Sequence, residues 1–379
     1  MLAPPQSAVP FEQPGAWNGS GPIVFSVDFD GTPAALLLDT GASRSVVDAD
    51  LAERLDLEPG LRLPAGGVGG VGTVGTLTVP RMSVGGLSFT HFPATSMDMS
   101  FLEFDGRTVD GIFGSDLLRD CRLEVDFAAS TLRFQDLDAG DAPEDFDYVT
   151  LGWFAGIPLL PIEVCGIPAQ AMLDTGNMAM TTVHGPFFRE HFQPAAGPRI
   201  AVSGVGGEFA VTLGRLRSVT VAGTTWSDVA AVTPAPDAEG GLLNSPIADA
   251  NVGVGLLRHY RLLLDYPNGR LGFAPGKEWP QIPRGNPGFS VRLRNGVFEV
   301  RDVFAGSDAE AAGLQRGDHL TAIDGKPAAG LKTADLLPLL HGEPGTRLEI
   351  TFQPSRDGSS PQRTVLERRD YAPYFEPTP

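Results

Sequence analysis

Cysteine is scarce: Cys121 and Cys165 are the only two in 379 residues. That excludes a disulfide framework and a cysteine-rich metal cluster. No apolar run approaches the roughly 20 residues that span a bilayer as a helix. The stretch Met1 to Pro14 shows neither the basic start nor the apolar core of a secretory leader. Positive charge is outnumbered, with 28 Lys and Arg against 46 Asp and Glu and a formal net charge of -18. Such a surface repels phosphate backbones and anionic lipid, so nucleic acid is excluded as a partner. The six histidines, His184 and His191 among them, lack H-E-x-x-H spacing and read as surface or packing residues. No metal and no cofactor is expected. The G-x-S-x-G elbow of a serine hydrolase is missing. The 4 Trp and 5 Tyr are scattered and offer no platform for a sugar ring.

What the chain has is short β-like runs between turns, supplied by 47 Gly and 33 Pro. Ile23 to Asp28, a turn at Asp30-Gly31 and then Ala34 to Leu38 make one such unit, and helical patterns are few. Internal comparison is the most informative step. PIVFSVDFDGTPAALLLDTG, ending at Gly41, has a partner in PLLPIEVCGIPAQAMLDTG, ending at Gly176. LLRDCRLEVDFAASTLRF from Leu117 has one in LLRHYRLLLDYPNGRLGF from Leu256. Val68-Gly69-Gly70 matches Val205-Gly206-Gly207, and the run from Ser83 matches that from Thr220. Four blocks in one order, at a nearly constant offset, mean that a whole fold unit was duplicated. Two copies are too few for a solenoid, so a mostly β, two-lobed body is expected. We divide the chain into an arm over 1–19, a first lobe over 20–142, a second over 143–278, a Pro-rich linker over 279–287, a C-terminal α+β unit over 288–370 and a tail over 371–379.

Each repeat drives an apolar strand into Asp-Thr-Gly: Asp39-Thr40-Gly41-Ala42 and Asp174-Thr175-Gly176-Asn177. A single copy would equally suit an Asx-type turn after a buried strand. Two copies at equivalent places bring one carboxylate from each lobe to a shared axis. Two carboxylates a few Å apart cannot both ionise cheaply and share a proton, so one serves as base and the other as acid. That pair activates water and protonates the departing amine, the two tasks of peptide hydrolysis. The glycines allow a tight turn that aims backbone N–H groups at the carboxylates, and the Thr hydroxyls can bond across to the opposite loop.

With these motifs in view, the chain resembles the retropepsin-type aspartic proteases, in the form of bacterial single-chain, two-lobed members. The resemblance covers about residues 20–275. It rests on Leu38-Asp39-Thr40-Gly41-Ala42, on the Gly-rich segment Gly67-Val68-Gly69-Gly70 and on Ile112-Phe113-Gly114. The second lobe repeats the set with Gly204-Val205-Gly206-Gly207 and Asn251-Val252-Gly253. It implies that Asp39 and Asp174 are catalytic, that Thr40, Gly41, Ala42, Thr175, Gly176 and Asn177 support them, and that both Gly-rich segments are flaps closing over a peptide. Gly67 to Gly72 also fits G-x-G-x-x-G, but the alternating Thr73 to Val79 that follows is strand-like and opens no helix. Asn177 stands where the family has Ser, Thr or Ala, Asn251 where it has an apolar residue, and neither flap carries the Tyr found in pepsin. Ala42 lacks the hydroxyl that bonds the carboxylate in pepsin-like enzymes, whereas the Asn177 amide can donate. A pH optimum nearer neutral than pepsin's is therefore expected.

Residues 288–368 resemble a PDZ domain of bacterial periplasmic proteases, through Ser307-DAEAAG-Leu314, Arg316-Gly317-Asp318 and Ile323-Asp324-Gly325-Lys326. The resemblance implies that an extended peptide or a chain terminus adds to a sheet edge at Gly288, Phe289, Ser290 and Val291. Thr333 is expected to cap the facing helix, Ala334 to Leu340. The expected partners are a peptide or protein substrate and a PDZ ligand. One chain holds both lobes, so a monomer suffices. Analogy with exported proteases carrying PDZ domains implies a periplasmic or otherwise exported location. Two other readings stay open: a pseudo-protease body that only binds peptide, and, more remotely, a glycoside hydrolase, which also uses paired carboxylates.

Overall fold

The computed structural model describes residues 8–137, 143–194, 196–356 and 360–378. In the first half, strand Val24–Phe29 folds back on Thr32–Leu38 through a two-residue turn. Asp30 and Gly31 both have positive φ there (49° and 93°), the geometry whose twist matches paired strands. The second half repeats the unit with Ile157–Val164 and Ile167–Asp174, turning at Cys165 and Gly166 (φ 51° and 80°). Cys165 thus sits in a turn, Cys121 is buried, and both are free thiols.

The strand that ends in each Asp-Thr-Gly is flanked by a short buried segment. Gly111–Phe113 runs parallel to Thr32–Leu38 and antiparallel to Val46–Asp48. Ala250–Gly253 does the same with Ile167–Asp174 and Thr181–Val183. The registers pair Ile112 with Leu37 and Asn251 with Met172, so Ile112 and Asn251 occupy equivalent places in the two lobes.

The second repeated block joins the lobes. Arg122–Asp126 pairs antiparallel with Tyr260–Asp265, setting Leu123 against Leu264 and Val125 against Leu262. All four side chains are fully buried. Duplicated strands therefore meet each other in one continuous sheet, and burial of their apolar faces, at about 25 cal/mol per Å², holds the lobes together. The acidic stretch over residues 136–147, which spans the boundary between the lobes, lies partly outside the described residues.

The C-terminal unit has its own core, including Phe289, Phe298, Leu336, Ile350 and Phe352. Its sheet runs, in spatial order, Phe289–Arg294, Val297–Val303, His319–Ile323, Arg347–Gln353 and Gln362–Glu367. Phe289–Arg294 lies at an edge. The facing helix is Thr333–Leu340, capped by Lys332 where Thr333 was expected. The cap is set by the Asp335 carboxylate, which accepts from the Lys332 N–H. The Thr333 hydroxyl instead bonds Asp105 of the first lobe.

The tail returns to the second lobe. Phe375 is 2% exposed, packs edge-on to Phe188 at 5.0 Å and stands over Gly214, where any side chain would strike its ring. The Glu376 carbonyl accepts from Gln193 N–H, and its carboxylate bonds Arg217.

Candidate active site

The two Asp-Thr-Gly loops meet at the junction of the lobes. The Thr40 hydroxyl donates to the Leu173 carbonyl (2.6 Å) and accepts from Thr175 N–H (3.0 Å). The Thr175 hydroxyl donates to the Leu38 carbonyl (2.9 Å) and accepts from Thr40 N–H (3.0 Å). Both threonines are fully buried. Each hydroxyl thus spends its proton and a lone pair on the opposite lobe, and the four bonds fix the spacing of Asp39 and Asp174.

The glycines act through space rather than through an unusual turn. A Cβ on Gly41 would lie 2.7 Å from Asp174 Oδ1, and one on Gly176 would lie 2.5 Å from Asp39 Cγ. Neither glycine has positive φ. Their N–H groups do face the carboxylates: Gly41 donates to Asp39 Oδ1 (2.9 Å) and Gly176 to Asp174 Oδ1 (3.1 Å). Ala42 adds a second main-chain donor to Asp39 Oδ1 (3.1 Å). The two carboxyls are near enough for each to alter the other's proton affinity. Burial raises Asp39 above the ordinary carboxylate range, against the pull of Gly41 and Ala42. Burial, then the charge of Asp39, pushes Asp174 up to about 8. Each remains partly accessible.

The side-chain donor to Asp174 is not Asn177. The Asn177 amide turns away to Thr182 Oγ1 (3.0 Å), while its Oδ1 accepts from Ala179 N–H. Asn251 takes the role, donating from Nδ2 to Asp174 Oδ2 at 2.6 Å. Behind it, His184 Nε2 lies 2.6 Å from Asn251 Oδ1. His184 is fully buried, as a packing residue would be, yet it is also tied to this carboxylate. The signal for Asn251 was an amide in a segment that otherwise wants apolar residues. Nothing in the spacing of His184 pointed to it.

Both Gly-rich segments are tips of hairpins. Arg62–Gly67 pairs with Gly70–Val84, and Arg199–Gly204 with Gly207–Val221. The tips touch: Gly69 N–H donates to the Val205 carbonyl at 2.9 Å. A Cβ on Gly69 would lie 2.4 Å from Gly207 N, and one on Gly206 would lie 2.6 Å from Gly70 N. Glycine is needed here for the close approach. Val68 packs against a second-lobe cluster that includes Phe209, Val211 and Leu243.

At the C-terminal unit, Gly288 N–H and Phe289 N–H both donate to Asn286 Oδ1 (2.7 and 3.2 Å). Two main-chain donors at the expected peptide edge are thus held by a side chain of their own loop. Ser290 bonds Asp302, and Val291 follows a register shift and packs on the domain core.

Comparison with known proteins agrees with this architecture. Residues 25–117 match the family model described as aspartyl protease, and residues 299–354 match that of the PDZ domain. No curated protein matches the chain. The chain therefore carries an aspartyl protease-like domain followed by a PDZ domain. The family match ends before the second Asp-Thr-Gly, whose kinship to the first rests on the internal repeat. Among the described residues, no helix is long and apolar enough to cross a membrane, and no group of three or more His, Cys, Asp or Glu is arranged to hold a metal ion.

Proposed function

We propose that the protein is an aspartic endopeptidase whose two lobes share one site, with Asp39 and Asp174 as its catalytic carboxylates. The observation that carries this reading is the facing pair of carboxyls, one per lobe, locked by reciprocal Thr40 and Thr175 bonds. Asp39, with two main-chain donors on one oxygen, is the ionised member. Asp174 keeps the shared proton at neutral pH. Asp39 takes a proton from water as the water oxygen adds to the peptide carbonyl carbon. Asp174 gives its proton to the carbonyl oxygen, forming a gem-diol. The C–N bond then breaks as Asp174 recovers a diol proton, and Asp39 returns its proton to the leaving amine. The one-proton state spans the interval between the two ionisations, so activity peaks from weakly acid to neutral pH. The flaps, touching through Gly69 and Val205, cover an extended peptide, and the PDZ edge holds a second segment of substrate or partner.

The test is cleavage of unstructured casein from about pH 3 to 8, a range that spans the carboxylate ionisations. Asp174→Asn should lower kcat/KM by roughly 10²–10⁴ with the fold unchanged. Full activity in that variant would refute the role assigned to Asp174. Absence of wild-type cleavage at every pH would favour the peptide-binding body instead.

A further inference from the structure

Asp174 and Asp39 are equivalent in sequence but not in their hydrogen bonds. Asp39 is held by the main chain of its own loop, on Oδ1. Asp174 receives Gly176 N–H on Oδ1, with Asn177 N–H also turned to the carboxylate, and in addition a side-chain bond on Oδ2 from a neighbouring strand. The strand position that delivers it, Asn251, is apolar Ile112 in the first lobe, packed with Val24, Leu37 and Val46. Behind it, His184 precedes the helix Gly185–His191 as Asp48 precedes the helix Ala49–Arg54. The main chain is the same in both places: Asp48 N–H bonds the Asp110 carbonyl (2.8 Å), and His184 N–H the Asp249 carbonyl (2.9 Å). Only the side chains differ. Asp48 spends its carboxylate locally on Met99 and Asp50 N–H, whereas His184 points to Asn251.

We propose that His184 and Asn251 form a positioning relay that fixes the outer oxygen of Asp174 and makes the two carboxylates unequal. The proposal deepens the endopeptidase reading and rests on it. Asp174 Oδ2 accepts from Asn251 Nδ2, which turns Asn251 Oδ1 toward His184. His184 Nε2 must then carry the proton. The amide oxygen can only accept, and this fixes the tautomer; the buried Nδ1 makes no close hydrogen bond, with the Ala248 and Ser245 main chain near the ring. Burial lowers the His184 pKa, so the ring stays neutral and serves as a donor rather than a charge. The titratable groups around the relay are Asp39 across the axis, Tyr266 near Asp39, and Asp249 beside His184. None is a side-chain hydrogen-bond partner of Asn251. A donor to a carboxylate favours its ionised form. Asn251 therefore limits how far burial and Asp39 raise Asp174.

The test is a pH titration of Asp side-chain ¹³C signals in the resting protein, with Asp174 assigned by its loss in Asp174→Asn. A charge-assisted bond corresponds to about one pH unit. Asn251→Ala and Asn251→Ile should each move the Asp174 titration up by about that much, and the alkaline limb of kcat/KM with it. The isoleucine variant restores the first-lobe residue and guards against a cavity effect. His184→Ala should move the titration the same way and add little to Asn251→Ala, because the two act as one unit. His184→Gln, which retains a donor, should stay near wild type. An unmoved titration in both folded Asn251 variants would overturn the relay. A His184→Gln variant displaced as far as His184→Ala would overturn the part given to His184. The titration needs no turnover, so a protein without proteolysis would sink the endopeptidase reading while the Asn251 shift is still decided.

Discussion

The two Gly-tipped hairpins are of matched design and meet at their tips, yet their outer surroundings differ. The first, Arg62–Gly67 with Gly70–Val84, is exposed on its far side, where Leu61 and Val71 are 74% and 77% accessible. The second, Arg199–Gly204 with Gly207–Val221, lies along the PDZ domain. Glu208 accepts two 2.7 Å bonds from Arg316, Ser203 accepts from Arg301 (2.9 Å), and Ala201 N–H donates to Asp302 (3.1 Å). Asp302 also binds Ser290 of the PDZ edge strand. One hairpin is thus open on its outer side, and the other is moored to the PDZ domain. The site repeats the lesson: Asp39 is held by main chain alone, while Asp174 has an added side-chain tether. Duplication supplied a symmetric frame, and the second copy carries the departures from it.

The symmetric part is the most sensitive to substitution. Gly41→Ala would thrust a Cβ to 2.7 Å from Asp174 Oδ1, and Gly176→Ala to 2.5 Å from Asp39 Cγ. Displacing a reacting group by about 1 Å costs on the order of 10² in rate. Both variants should lose at least that much kcat/KM against casein. Gly41→Ala should lose more, because Asn251 keeps Asp174 from yielding. Near-equal losses would show that the tether does not stiffen Asp174.

The electrostatic difference should appear in stability. Asp174 is raised from 3.8 to about 8 on folding. A raised carboxyl stabilises the fold fully below its unfolded pKa, and that contribution is lost as pH climbs toward the folded value. Asp174→Asn escapes the loss. Its Tm should match wild type near pH 4 and exceed it by roughly 3 °C or more at pH 8, a shift that corresponds to about 1 kcal/mol. A gap that shrinks with rising pH would contradict the raised pKa.

How much of this was readable without coordinates follows from what periodicity and motif encode. The duplicated Asp-Thr-Gly, the Gly-rich tips and the strand boundaries near Val24–Phe29 and Thr32–Leu38 are local patterns, and they were legible. The reason for Gly41 and Gly176 was not, since the atom each avoids belongs to the other lobe. Asn177 looked like the amide donor because it is adjacent in sequence. Asn251, 77 residues from Asp174, does the bonding because a parallel strand pair carries it there. His184 and the Glu208–Arg316 contact depend on pairings across 67 and 108 residues, which no single-sequence signal reports. Thr333 was a sound N-cap by residue type and lost the position to Lys332, because its hydroxyl is taken by Asp105.

The mooring of the second hairpin offers the smallest effect and the sharpest contrast. Arg316 and Glu208 are partly exposed, with side chains 48% and 41% accessible, so solvent screens their attraction to about 0.2–1 kcal/mol. Arg316→Ala should therefore speed amide hydrogen exchange across Arg199–Gly204 by about 1.4- to fivefold, the change such an energy permits. Exchange across Arg62–Gly67 should stay as in wild type. High salt should weaken the contact in the same direction, so wild type in salt should approach the variant. If both hairpins loosen together, the bond between Gly69 and Val205 couples them into one unit, and the PDZ domain steadies both hairpins rather than one.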